Sequence, residues 1–281
     1  MEITNLDWNQ VELIIENALK EDIGEGDVTT DLLFPEDIRC NAIIQAKEEG
    51  IIAGLPIAKR IFRKLNNDIR WVENKRDGES VAKGDILVKI HGSRKAILAG
   101  ERVALNLIQR LSGIATLTSK FVKAVEGLSV KITDTRKTVP SLRILDKYAV
   151  RTGGGHNHRM GLFDGVLIKD NHLKLIGSIT EAIRRIKKMT GGRFQIEVET
   201  SRLEEAREAL AAGADVIMLD NMSLNTMRKS VEMINGRALI EASGGITLRN
   251  VRRVAETGVN IISIGSLTHS PKALDISLYL V

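Results

Sequence analysis

Between residues 131 and 172 the chain carries Asp134, Arg136, Lys137, His156, His158, Arg159, Lys169, Asp170 and Asn171. Most of them follow a short apolar run: 130–133 ends in Asp134, Arg136 and Lys137, and 166–168 ends in Lys169, Asp170 and Asn171. A hydrophobic core has no use for so many cations at strand ends. A strand that delivers side chains to a pocket at its C-terminal end does. Arg136, Lys137, Arg159 and Lys169, with His158, form a set of charge-assisted donors. Arginine grips planar carboxylates and phosphates with paired hydrogen bonds, and lysine acts as a point charge. The chemistry this implies is the binding of a polyanionic substrate. Pairing with Asp134, Asp170, Glu199 and Asp220 is the structural alternative, and it still leaves the cations facing a common cleft.

Such residues need a scaffold that gathers strand ends. Apolar runs at 130–133, 166–168, 194–198, 215–219, 238–240 and 261–264 alternate with helical periodicity at 178–189, 202–211, 223–234 and 247–257. Alternating strand and helix implies a parallel sheet, since parallel neighbours need a crossover. Repeats of similar length favour an incomplete, TIM-like β/α barrel of six to seven strands over residues 116–270. A barrel brings the run ends to one face: besides the two above, they are Glu199, Asp220/Asn221, Glu241/Ser243 and Gly265/Ser266. Glu199 and Asp220 could hold a hard cation such as Mg²⁺, hydrogen-bond sugar hydroxyls, or stabilise an oxocarbenium-like centre. Ser243-Gly244-Gly245 and Gly265-Ser266 read as turns leading into helices, with backbone N–H groups open to a phosphate. Gly153-Gly154-Gly155 reads as a loop with no ligand.

Residues 1–115 read as an α+β sandwich domain. An amphipathic helix over 8–20 ends in a glycine turn at 21–27. Strands at 40–46 and 51–53 flank a turn, and Pro56 opens a helix that runs to Leu65. Glycine turns flank strands over 78–92, with Val81, Ile86, Val88 and Ile90 inward. A helix over 96–118, broken at Gly113, leads to a second helical stretch at 115–125. On spacing alone Arg102 is a surface arginine, and the basic run 184–188 is a solvated helix face.

The composition narrows the partners. An aromatic fraction of 3% argues against stacking platforms for single-stranded nucleic acid, and a net charge of +5 suits a pocket for small anions. The single cysteine, Cys40, excludes an internal disulfide and a zinc site of several thiolates. The opening MEITNLDWNQ lacks the basic and apolar regions of a signal peptide, and no apolar run approaches membrane-spanning length. A cytoplasmic protein with neither nucleic acid nor membrane as partner is expected.

The stretches EDIGEGDVTT (21–30), GERVALNLIQRLSGIAT (100–116) and DTRKTVPSLRILDKYAVRTGGGHNHRMGLFDGVLIKDNH (134–172) carry a family resemblance. With EVET, LDN, SGGI and SIGSLTHS further on, the chain resembles the quinolinate phosphoribosyltransferases, or nicotinate-nucleotide pyrophosphorylases (carboxylating), over nearly its whole length. The resemblance implies a pentosyltransferase that converts quinolinate and phosphoribosyl pyrophosphate to nicotinate mononucleotide, pyrophosphate and CO₂ with Mg²⁺. It implies a homodimer or larger assembly in which Arg102 reaches the neighbour's site, and a C-terminal segment, 271–281, that returns to the N-terminal domain. Arg102, Arg136, His158, Arg159 and Lys169 would take quinolinate's carboxylates. Ser243, Gly244, Gly245, Gly265, Ser266 and His269 would take the 5′-phosphate, Lys137 the pyrophosphate, and Glu199 and Asp220 the ribose and Mg²⁺. Lys137, Glu199 and Asp220 would carry the catalysis. Ser141 stands where the family usually has glycine, with little consequence expected in a loop. Three alternatives remain at this level: a molybdenum-transport-associated paralogue acting on another acid, a Schiff-base aldolase using Lys169, and a non-catalytic phosphosugar-binding regulator.

Overall fold

Along β1 (Arg39–Ala46) every second residue is apolar, so Ala42, Ile44 and Ala46 are buried while Ile43 and Gln45 are only half so. In the computed structural model, which describes residues 6–281, this strand lies second in an antiparallel sheet of order β12-β1-β5-β3. Its partners are β5 (Ile86–Ser93), β3 (Arg70–Glu73) and the C-terminal β12 (Ile276–Leu280). The signal-peptide reading rests in part on residues 1–5, which lie outside the described residues.

The chain divides into two compact units. The first holds residues up to Ser119, Thr138–Gly154 and Ser266–Val281; the second holds Lys120–Lys137 and Gly155–Gly265. The first unit contains the sheet above with α1 (Trp8–Ile23), α2 (Val28–Leu33), α3 (Leu55–Leu65), most of α4 (Arg94–Ala124), α5 (Arg143–Thr152) and α11 (Ser266–His269). The turn expected at 21–27 caps α1 at Gly24. It then starts an unforeseen helix, α2, whose first turn Asp27 caps through the Thr30 N–H at 3.0 Å. The strands expected on either side of a turn do not pair with each other. β2 (Gly50–Ile51) pairs instead with β4 (Ser80–Val81), as a separate two-stranded sheet.

Gly113 does not break α4, which runs unbroken from Arg94 to Ala124. A Cβ at Gly113 would lie 2.1 Å from the backbone oxygen of Lys272. The glycine therefore serves the close approach of the C-terminal segment rather than a helix end. Gly113→Ala is expected to cost roughly 1–3 kcal/mol of stability through overpacking. Urea unfolding would show it as a lower midpoint at unchanged slope.

The segment 138–154, inside the stretch 116–270 expected as one domain, packs with the first unit. Asp146 accepts hydrogen bonds from Arg110 at 2.9 and 2.8 Å. The Tyr148 hydroxyl donates to Asp77 at 2.5 Å, and a Cβ on Gly153 would strike the Ala115 oxygen at 2.4 Å. The glycine run thus begins in a packed contact. Ser141 lies in this segment at φ +66°, the left-handed region that favours glycine. Its side chain costs roughly 1 kcal/mol there, so the position is not indifferent to glycine.

The second unit is a six-stranded parallel sheet of order β6-β11-β10-β9-β8-β7. Its strands are β6 (Lys131–Thr133), β7 (Val166–Ile168), β8 (Ile196–Thr200), β9 (Val216–Asp220), β10 (Leu239–Ser243) and β11 (Ile261–Ser263). The first strand pairs with the last, as in a closed barrel, yet the first and second are the two edges. This is an incomplete β/α barrel. A one-residue seventh strand sits on the free edge of β6, where Thr133 bridges His156 and the His156 N–H donates to the Ile132 oxygen at 2.8 Å. The crossovers include α6 (Asp170–Ile176), α7 (Ile179–Thr190), α8 (Leu203–Ala212), α9 (Leu224–Ile234) and α10 (Val251–Ala255). Helix α6 was not foreseen, and α10 is shorter than the expected 247–257. On α7, Arg184, Arg185, Lys187 and Lys188 are exposed, as a solvated face requires.

Candidate active site

Hydrogen bonding in the parallel ladder continues further than the apolar runs suggest, pairing Thr200 with Leu219 and Ser243 with Asp220. Glu199, Asp220, Glu241 and Ser243 are therefore within their strands, not beyond them. Side chains alternate across a strand, so Glu197 and Glu199 share one face of β8, and Glu241 and Ser243 share one face of β10. The expected site residues Glu199 and Ser243 thus have a glutamate two positions back, roughly 7 Å nearer the strand's start. Of these two glutamates, Glu197 was not foreseen, and Glu241 was expected only as a run end on this face, with no role assigned. Period-two alternation from Glu199 was the signal that points to Glu197.

The loop after the stub strand is bolted to β6. The buried Asp134 accepts from the Asn157 side chain at 2.6 Å and from the His158 N–H at 2.9 Å. His158 Nε2 lies 3.1 Å from Glu197 and 3.5 Å from Glu241, while Nδ1 accepts the Arg159 N–H at 2.8 Å. Both ring nitrogens of His158, expected to take a quinolinate carboxylate, are engaged with these protein groups. Burial works against a charged ring, while the bonds and charges of the two glutamates favour one. The Arg159 N–H acts against them, because it needs the Nδ1 lone pair that an imidazolium lacks. Two donors at that distance repel. We therefore assign the neutral ring with its proton on Nε2. Burial raises the Glu197 pKa, with the Glu241 charge adding to it and His158 opposing.

Arg159 donates to the Gly165 oxygen at 2.9 Å. Burial, and then the charge of Arg136 nearby, lower its pKa. Arg136 and Arg159 are thus brought together as the sequence implied. Lys169, half-exposed after β7, pairs with Glu199 at 3.2 Å. Lys137 is exposed after β6, its N–H on the Thr135 hydroxyl at 3.0 Å.

The clefts divide the remaining groups. Glu199 and Asp220 line one of about 550 Å³ with Thr200, Ser201 and Lys174, whereas Arg159 lines a mainly apolar one of about 340 Å³ beside β7. Asp220 accepts from its neighbour Asn221 at 2.8 Å. Gly244 and Gly245 both have positive φ, and a Cβ on Gly244 would strike Asn221 at 2.3 Å, so the turn after β10 admits no side chain there. Helix α10 begins six residues after Gly245, so the turn does not lead directly into a helix as expected. Gly265 closes the second unit. Ser266 and His269, at the ends of α11, and Arg102, exposed on α4, belong to the first.

Comparison with known proteins bears on the whole chain. The family model for the quinolinate phosphoribosyl transferase C-terminal domain matches residues 114–279, and that for the N-terminal domain matches 27–112. A Bacillus subtilis protein described as a probable nicotinate-nucleotide pyrophosphorylase (carboxylating) is 49% identical over 269 residues, 96% of this chain and 93% of that protein. A Synechocystis relative with the same description is 44% identical, covering 98% of this chain and 94% of its own. The crystal structure of NadC from Streptococcus pyogenes superposes with a TM-score of 0.94 at 40% identity, over 99% of both chains.

Proposed function

Because the chain belongs to the quinolinate phosphoribosyltransferase family, we propose that it transfers the phosphoribosyl group of phosphoribosyl pyrophosphate to quinolinate. The products are nicotinate mononucleotide, pyrophosphate and CO₂, as a step in making NAD. One observation carries this reading: Arg159, partly buried with its guanidinium on the Gly165 oxygen at 2.9 Å, also feels the charge of Arg136 from the loop after β6. Crowded guanidinium groups at a strand end suit a doubly anionic ligand, and quinolinate has two adjacent carboxylates.

Arg136, Arg159 and Lys169 would take those carboxylates, with Arg102 reaching in from a second copy in a homodimer. The turns at 243–245 and 265–266, with His269, would take the 5′-phosphate, and Lys137 the pyrophosphate. Glu199 and Asp220 would hold the ribose hydroxyls and face the positive charge that grows at C1 as pyrophosphate leaves. The ring nitrogen then attacks C1 and becomes cationic. The adjacent carboxylate leaves as CO₂, its bonding pair stays on the ring carbon beside that cation, and a proton replaces it. No covalent nucleophile takes part; positioning and preorganised charge supply the acceleration.

Magnesium fits this site only as the substrate's companion. The one group of three metal-ligating side chains close together among the described residues includes neither Glu199 nor Asp220. Two carboxylates are too few for an all-protein shell, so pyrophosphate oxygens would complete it. When bound, the ion neutralises charge on the leaving group. No helix among the described residues is long and apolar enough to cross a membrane. The single cysteine, free in this chain, supports a reducing cytoplasm as its place.

Incubating the purified protein with quinolinate, phosphoribosyl pyrophosphate and Mg²⁺ is expected to release nicotinate mononucleotide and CO₂ in equal amounts. Chelating the metal should stop both. Retained binding of phosphoribosyl pyrophosphate with neither product would discard quinolinate as the acceptor.

A further inference from the structure

The cluster of His158, Glu197 and Glu241 has the composition of a metal site, with one ligand atom from each within 4.8 Å of the others. Its hydrogen bonding argues otherwise. A metal-bound histidine donates its second ring N–H to an acceptor. Here Nδ1 instead accepts the Arg159 N–H, so the proton sits on Nε2, where a metal would have to bind. The cluster is a strut. Glu197 and Glu241, 7% and 1% exposed, hold the Nε2 end of the ring from β8 and β10. The Nδ1 end holds the backbone of Arg159, while Asp134 holds the backbone of His158 from β6. Three strands of the barrel thus converge on one loop.

We propose that Glu197 and Glu241 are positioning residues for quinolinate: they set the His158 ring, and the ring sets Arg159. This rests on the reading above, in which Arg159 takes a quinolinate carboxylate. Neither glutamate needs to touch substrate. What matters is an acceptor for Nε2–H, not a negative charge as such, so glutamine can substitute and alanine cannot.

Glu197→Ala is expected to raise the KM for quinolinate at least tenfold, with kcat and the KM for phosphoribosyl pyrophosphate changed less than threefold. Glu197→Gln should restore most of the loss. Glu241→Ala, which removes the longer contact, should show a smaller change in the same direction, and it serves if Glu197→Ala does not fold. Hydrogen exchange of the 156–160 segment, followed without substrate, should quicken in the alanine variants and stay slow in Glu197→Gln. An unchanged quinolinate KM in a folded alanine variant overturns the proposal. So does an equal rise in both KM values, or a glutamine variant that behaves like alanine. If wild-type protein does not turn over quinolinate, the functional reading fails on its own, and the exchange experiment still decides whether the strut exists. Binding of Zn²⁺ or Mn²⁺ by the resting protein that Glu197→Gln removes would overturn the strut in favour of a metal site.

Discussion

Arg159→Ala is expected to lower kcat/KM for quinolinate about a thousandfold while leaving the protein folded. Arg159 uses one donor on the Gly165 oxygen. A guanidinium has five, so most of the fork remains for a ligand. Its neighbour Arg136 cannot stand in, because a fork aimed from one direction does not reproduce the other's geometry. Truncating one member of a desolvated charge pair costs about 2–5 kcal/mol, much of it from the charge left stranded. A loss of about 4 kcal/mol corresponds to about a thousandfold in rate. Arg136→Ala should give a similar loss. Lys169→Ala should add a second effect, because it also strips Glu199 of its partner at 3.2 Å. Steady-state kinetics at saturating phosphoribosyl pyrophosphate, beside a melting curve, would measure all three. Turnover within tenfold of wild type in Arg159→Ala would remove the anion nest from the mechanism.

The strands and their order of chemistry were legible because a parallel sheet buried on both sides writes each strand as a short apolar run ending in charge. The expected runs at 194–198, 215–219 and 238–240 fall one to three residues short of the observed ends at Thr200, Asp220 and Ser243. They stop early because a polar side chain facing the barrel interior ends the apolar signal while the backbone ladder continues. Glu241 was visible only as the end of its run, and Glu197, inside the run 194–198, gave no signal of its own. Gly113 misled for a different reason. Its cause is the backbone oxygen of Lys272, a contact between residues far apart in sequence that no local window contains. The 138–154 segment belongs with the first unit through Arg110–Asp146 and Asp77–Tyr148, whose members look like unrelated charges in sequence. Roles of single side chains were the least legible. His158 sits among cations in sequence, yet its ring nitrogens face a buried carboxylate pair and a backbone amide.

Asp146→Ala is expected to destabilise the protein by about 3–5 kcal/mol. Asp146 is fully buried. It accepts two hydrogen bonds from Arg110 and a third from the Val139 N–H at 3.2 Å, and Arg110 also donates to the Thr268 oxygen at 3.0 Å. One ion pair therefore ties α4, α5, the loop before α5 and α11 together. Burial raises the Asp146 pKa, and the bonds and charge of Arg110 offset this only in part. The pair is thus a costly fastening, not a net source of stability, and it can still be expensive to break. Alanine strands the Arg110 guanidinium against a carbonyl with no counter-charge and frees the Val139 amide. At roughly 2–4 °C per kcal/mol for a chain approaching this size, calorimetry should record a melting point about 10 °C lower. Catalytic constants measured well below that temperature should move far less than in Arg159→Ala. A double replacement, Asp146→Leu with Arg110→Met, separates the two sources of the loss. Recovery of most of the stability would assign the cost to the stranded charge, as for other buried pairs exchanged for apolar residues. Persistence of the loss would assign it to the missing tether to Val139 and Thr268.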